Sequence, residues 1–242
     1  VLNEKKELIL EFVQPTGWSS VDTAEEIRQK LEFAGINLSN ESSHCVATGY
    51  GRISVPYADK TVTEITCHAL GAVHLFQHPD LTVIDIGGQD TKIIQIEQGF
   101  VKDFIMNDKC AAGTGRFLEV MANTLSLRPN EMFDLARLGS DTTISSMCTV
   151  FAESEVIGLI GKGEPKENIA YAVVNSTIRK VAAQVSRMNG EMFTFCLTGG
   201  LCECDYIREA LSKELGKDVF SCPDARYAGA IGAALSAMKV RR

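Results

Sequence analysis

A chain of 242 residues with 45% hydrophobic and 23% charged positions is long enough to bury a sizeable core, as one large domain or two smaller ones, and has neither a disordered nor a fibrous bias. Its net charge of −7 argues against a general nucleic-acid surface, because phosphate binding draws on clustered Lys and Arg, and the basic end "KVRR" is too short to change that. No apolar run approaches the roughly 20 residues that cross a bilayer and no signal-peptide pattern opens the chain, so a cytoplasmic protein with no membrane partner is expected, its eight cysteines reduced thiols or metal ligands.

Residues 1–12 read as two short strands around a charged turn, and residues 8–13, "LILEFV", are apolar enough for a strand. "VDTAEEIRQKLEFAGI" then spaces Val21, Ile27, Leu31 and Ile36 as a helix with a charged outer face, ended by Gly35. "HCVATGYGR" is a short strand running into a Gly-rich turn. "VTEITCHALGAVHLF" is a helix with Ile65, Ala69, Ala72 and Leu75 inward. The rhythm changes in "LTVIDIGGQDTKIIQIEQGFVKDFIMND", where an apolar run, a Gly-Gly turn, an alternating strand, a second turn and another strand predict a β-meander. A helix opened by Ala111 follows, then two amphipathic helices in "MCTVFAESEVIGLIGKG" and "ENIAYAVVNSTIRKVAAQVSRM". "MFTFCLTGGLCECDYIREAL" returns to strand, Gly-Gly turn and helix, and "DVFSCPDARYAGAIGAALSAM" closes with a short strand and a small-residue helix. The expected organisation is a first lobe over residues 1–80, a second over 81–225, and a C-terminal helix in 226–242 that packs back on the first.

Three stretches carry nucleotide chemistry. In "VIDIGGQDTK" a buried strand ends in Asp85, followed by Gly87, Gly88, Gln89 and Asp90. The glycines let backbone amides approach a phosphate, and the carboxylates suit Mg²⁺ or an oriented water. A tight hairpin turn with solvated acids is the competing reading. "CLTGGLCE" runs a strand into Thr198, Gly199 and Gly200 before a helix, as close backbone approach to an adenosine or its phosphates requires. In "DARYAGAIGAAL", Gly229, Ala230, Gly232, Ala233 and Ala234 make a helix face almost without side chains, which serves either a nucleotide or close helix packing.

The order of these stretches resembles the actin, heat-shock chaperone and sugar kinase ATPase superfamily. That resemblance implies an α/β, actin-like ATPase fold of two ribonuclease-H-like lobes around a nucleotide cleft. The superfamily's first phosphate hairpin has no counterpart after Val1, and a preceding start of about 15 to 25 residues is expected.

"NDKCAAGTGRF", with "DIGGQDTK", "ATGYGR" and "SSMCTVFAESE", narrows the resemblance over nearly the whole chain. Together they resemble the activators of 2-hydroxyacyl-CoA dehydratases, in the BadF/BadG/BcrA/BcrD-type ATPase family. The resemblance implies a homodimer sharing one [4Fe-4S] cluster, held by Cys110 and Cys148 of each chain. It further implies ATP/ADP and Mg²⁺ as cofactors, reduced ferredoxin or flavodoxin as electron source, and a dehydratase as acceptor. Four thiolates hold a cubane cluster, so two cysteines per chain suit a twofold dimer. Both cysteines are expected at helix starts, where the positive dipole end favours thiolates.

Asp85 and Gln89 are assigned to Mg²⁺ and water positioning. Gly87, Gly88, Asp90, Gly113, Thr198, Gly199, Gly200 and Gly229 are assigned to cofactor binding. Cys196, Cys202, Cys204 and Cys222 match no zinc spacing, and Glu153 and Glu155 read as helix-face residues. A small-molecule kinase of the same fold and a non-catalytic nucleotide-binding module are the rival functions. The kinase leaves the two cysteine motifs unexplained, and the module predicts binding without turnover.

Overall fold

The computed structural model describes residues 1–145, 148–190 and 193–240. The chain divides into two compact units. One is Val1–His78 with the C-terminal segment from Tyr227, and the other is Pro79–Arg226.

In the first unit, helix α1 (Ser20–Phe33) starts at Ser19, whose hydroxyl accepts from the Asp22 N–H, and ends before Gly35 at φ +82°. Strands β1 (Val46–Ala47) and β2 (Lys60–Thr61) pair in parallel, and helix α2 (Glu64–Phe76) follows. The small-residue helix, α8 (Ala228–Ala237), packs on α2 at glycines. A Cβ on Gly71 would stand 1.8 Å from the Ala228 carbonyl oxygen, and one on Gly232 would stand 1.7 Å from that of Cys67. Backbone lies against backbone, so no neighbouring side chain can yield.

Gly232→Ala should therefore force α2 and α8 apart and cost ~3 kcal/mol, the upper range for overpacking. In a chain of this size that lowers Tm by about 6–12 °C, whereas Ala230→Ser on the exposed face of α8 should stay within about 0.5 kcal/mol. Thermal unfolding followed by circular dichroism checks both. Equal Tm values for the two variants would contradict the packing argument.

The second unit is built on one mixed sheet. Strands β3 (Leu81–Ile86), β4 (Thr91–Glu97) and β5 (Phe100–Asn107) form the meander. β6 (Thr194–Gly199) lies parallel to β3, and β7 (Val219–Phe220) is parallel to β6, for an order β5-β4-β3-β6-β7. All of β3 and nearly all of β4 are buried, which is why β3 reads as an apolar run, whereas β4 also buries Thr91, Lys92 and Gln95 beside its isoleucines. The helices are α3 (Gly115–Thr124), α4 (Pro129–Ala136), α5 (Thr149–Gly161), α6 (Lys166–Val185) and α7 (Asp205–Leu215). α6 packs against α3, α4, α5 and α7. Among the described residues no helix is long and apolar enough to cross a membrane.

Three expectations change. Residues 8–13 form no strand; Leu8 makes only an isolated bridge to Leu2. The helix after the meander opens at Gly115 rather than Ala111, because Gly113 takes φ +87° and breaks the turn. Cys110 accordingly lies in a loop before the helix, and of the two cysteines only Cys148 stands at a helix start, as the N-cap of α5. Ser146 and Met147 of the second cysteine motif, Met192 before β6, and the two terminal arginines fall outside the described residues.

Candidate functional site

The turn between β3 and β4 is held from within. The Gly87 N–H donates to the Asp90 carbonyl at 2.9 Å, leaving Gly88 and Gln89 exposed at the tip. Cross-strand register sets Lys92 opposite Asp85, and parallel pairing sets Thr198 beside Asp85. The Thr198 hydroxyl donates to Asp85 Oδ1 at 2.7 Å. Lys92 Nζ donates to Asp85 Oδ2 at 3.3 Å and to Asp90 Oδ1 at 2.5 Å. All four side chains are buried, with Asp90 at 4% exposure and Lys92 at 3%. Asp90 Oδ2 is buried with no hydrogen-bond partner, an acceptor aimed at a donor or cation that the side chains around it do not supply.

Gly199 closes the other side of this pocket. Its φ of +83° and the 2.5 Å that would separate a Cβ from the Ile86 carbonyl oxygen admit only glycine. At Gly88 and Gly200, by contrast, no atom lies within 4 Å of where a Cβ would stand, so the backbone is open to a ligand there. The residues fit a phosphate group and a hard cation, with open glycine backbone beside buried carboxylates.

The cysteine loop is fastened to this turn. Gly115 and Arg116, the first residues of α3, donate their N–H groups to the carbonyls of Gly87 and Gly88 at 2.9 and 2.8 Å. The Thr91 hydroxyl donates to the Gly113 carbonyl at 2.6 Å, and Asn107 Nδ2, at the end of β5, donates to the carbonyls of Cys110 and Ala112. At the far end of α3 the Thr124 hydroxyl donates to Glu153 of α5 at 3.1 Å. The Glu155 carboxylate of α5 accepts from the Ser145 N–H at 3.1 Å. Cys110 and Cys148 are both free, exposed thiols, and the Cys148 sulfur makes no capping bond. Two accessible sulfurs on segments fastened to the same helix pair suit half of a four-thiolate set. Among the described residues no group of three or more His, Cys, Asp or Glu side chains forms a metal site within one chain.

A family model, the BadF/BadG/BcrA/BcrD ATPase family, matches residues 1–237. The chain belongs to this family. The (R)-2-hydroxyglutaryl-CoA dehydratase activating ATPase of Acidaminococcus fermentans is 42% identical over 99% of this chain and 92% of that one. The crystal structure of the Acidaminococcus fermentans (R)-2-hydroxyglutaryl-CoA dehydratase component A has a TM-score of 0.83 at 43% identity, over 93% of this chain and 86% of that one. An activator of the 2-hydroxyisocaproyl-CoA dehydratase from Clostridium difficile, with bound ADPNP, has a TM-score of 0.80 at 35% identity, over 89% and 80%. A ROK family glucokinase from Streptomyces griseus, at a TM-score of 0.57 and 15% identity over 99% and 95%, shares the fold alone. The fold is the actin-like ATPase fold that the order of motifs implies.

In this BadF/BadG/BcrA/BcrD ATPase, Asp85, Gly87, Asp90, Thr198 and Gly199 come together around one buried charge cluster, with Gly88, Gln89 and Gly200 at its exposed rim. Gly113 joins them through Thr91 and packs on the Lys180 stem. Gly229 belongs to the first unit, where a Cβ would meet the His68 ring at 3.0 Å. The residue that sequence reasoning missed is Lys92. Its signal was a lysine two positions after Asp90 and therefore on the same strand face, in a strand otherwise rich in isoleucine.

The remaining cysteines behave differently from Cys110 and Cys148. Burial pushes the Cys196 thiol up to about 12 and Cys202 to about 11, and it also raises Cys204 and Cys222. An unfolded thiol titrates near 8.5, so the stability these neutral thiols give is fully present below that pH. It is lost as pH rises toward 11 and 12. Thermal stability should fall steeply above pH about 9, less so in Cys196→Ala measured against its own neutral-pH value. At neutral pH, iodoacetamide followed by mass spectrometry should modify Cys110 and Cys148 well before Cys196 and Cys202.

Proposed function

We propose that the protein is an ATP-dependent electron donor that activates a 2-hydroxyacyl-CoA dehydratase or a related CoA-ester reductase in the cytoplasm. The observation that carries this reading is the direct hydrogen bonding of the Asp85 to Lys92 turn to the Cys110 loop and to α3. Such bonding links a phosphate site to a cysteine site, as ATP-driven electron transfer needs and simple phosphoryl transfer to a sugar does not. The names of its relatives, activators of dehydratases, point the same way.

In this reading Gly87, Gly88 and the Thr198 to Gly200 turn hold the phosphates and nucleoside of ATP. Asp85 and Asp90 hold Mg²⁺, and Gln89 at the exposed tip orients the attacking water. Cys110 and Cys148 of two copies together supply four thiolates to one [4Fe-4S] cluster. When bound, that cluster supplies a one-electron carrier of low potential. Dimerisation is supported by α5, whose Val150, Phe151, Ile157 and Ile160 are exposed beside Cys148, an apolar face that a second copy would cover. Reduced ferredoxin or flavodoxin is the proposed electron source. ATP changes the cysteine site because it favours one of two arrangements of the turn and α3.

Purification without oxygen, with iron and sulfide measured per chain beside the oligomeric mass, tests the proposal. About two irons and two sulfides per chain in a dimer are expected, which is one shared cubane. A folded, reconstituted protein without iron would overturn the electron-donor reading and return the choice to a kinase or a binding module.

A further inference from the structure

We infer that Lys92 is the resident counter-ion of the metal position. In nucleotide-free protein it occupies the Asp90 carboxylate that a divalent cation takes when nucleotide arrives. The inference rests on the proposal that Mg²⁺ and nucleotide bind at this turn, and it assigns a role to a residue outside that proposal.

The geometry separates what is fixed from what can move. Asp85 is held from the β6 side by the Thr198 hydroxyl. Asp90 is held through its backbone by Gly87, and its Oδ1 lies where a Gly87 Cβ would come within 2.9 Å. Lys92 reaches both carboxylates from β4 with an ammonium at the end of a flexible four-carbon stem, so it can leave without any backbone change. Within this trio two carboxylates face one ammonium, and Asp90 Oδ2 has no partner. A buried carboxylate oxygen without a donor is costly. A hard divalent cation suits such an oxygen, but with the ammonium still in place the trio and the cation would together carry a net positive charge.

The ammonium and the metal then compete for Asp90. An added phosphate group tips the competition, because it gives Lys92 a new anionic partner while bringing the cation. Metal and nucleotide binding become positively coupled, each strengthening the other by the same factor. The nucleotide-free protein is kept from trapping a cation alone.

Mn²⁺ is titrated, with detection by electron paramagnetic resonance, into wild-type protein and into Lys92→Met and Lys92→Gln, with and without ADP. Folding is checked by circular dichroism, and ADP binding is measured separately with a fluorescent analogue. Both variants should bind Mn²⁺ at least tenfold more tightly than wild type without nucleotide, and the tightening that ADP produces in wild type should shrink by a similar factor. Unchanged Mn²⁺ affinity in the variants, with ADP binding normal in wild type, overturns this inference alone. No ADP binding by wild type overturns the functional reading and this inference with it. Should both variants fail to fold, a structure of wild type with Mn²⁺ and ADP decides. Lys92 withdrawn from Asp90, with the metal on Asp90 Oδ2, supports the exchange, and a bound metal beside an intact contact between Lys92 and Asp90 refutes it.

Discussion

Cys110→Ser or Cys148→Ser should yield protein with essentially no iron or sulfide, no electron transfer to a dehydratase, and ADP binding within about twofold of wild type. A serine hydroxyl stays protonated at neutral pH and is a poor ligand for iron, so one lost thiolate per chain leaves two of four positions in a dimer empty. Nucleotide binding should survive because the thiols are exposed and bear no part of the turn, which is held by Gly87, Asp90 and Thr198. Metal analysis and a fluorescent ADP analogue read the two properties independently. Full iron content in either variant would remove that cysteine from the set, and loss of ADP binding in both would refute the separation of the sites.

Asp85→Asn should slow ATP hydrolysis about 100-fold or more while iron content is kept, since charge placed near a bound metal acts on the transition state far more than on the fold. Asparagine preserves the shape that packs beside Gly199 and can still meet the Thr198 hydroxyl. Lys92 keeps Asp90 as a partner in that variant, which protects the fold from an isolated buried ammonium. Steady-state phosphate release gives the rate, and iron analysis supplies the control. Iron loss in Asp85→Asn would contradict the assignment of Asp85 to nucleotide chemistry.

Much of the second unit was legible because its strands announce themselves locally. β3 is an apolar run ending at a Gly-Gly turn, β4 is an isoleucine-rich alternating strand ending before Gly99, and the turn between them carries its own acids. Residues 8–13 misled for a physical reason: apolar composition marks a core strand only when neighbouring elements cover it, and here Ile9 and Val13 remain exposed although the Ile9 N–H donates to the Val1 carbonyl. The early start assigned to α3 came from two alanines, whose helix preference is overridden by Gly113 in the left-handed region. Helix α4 was passed over although Pro129 at its first position and the Arg128 with Glu131 capping pair mark its beginning. Small residues in α8 could serve a ligand or a packing surface, and only the approach of α2 decides what Gly71 and Gly232 do. Lys92 was legible only in part, through its spacing from Asp90. Its meaning depends on Asp85 seven residues earlier, brought opposite by strand register rather than by spacing along the chain.

The two hydrogen bonds that join the glycine carbonyls to the first amides of α3 also set a mechanical gain. Ten residues of helix span about 15 Å. A tilt of roughly 10° at Gly115 therefore sweeps Thr124 through about 2.6 Å. That sweep nearly equals the 3.1 Å reach of the bond from Thr124 to Glu153. Helix α5 must either follow, taking Cys148 with it, or lose that bond. If the proposed phosphate site moves the glycine carbonyls enough to tilt α3 in this way, the opposite end of the helix would carry that movement to α5.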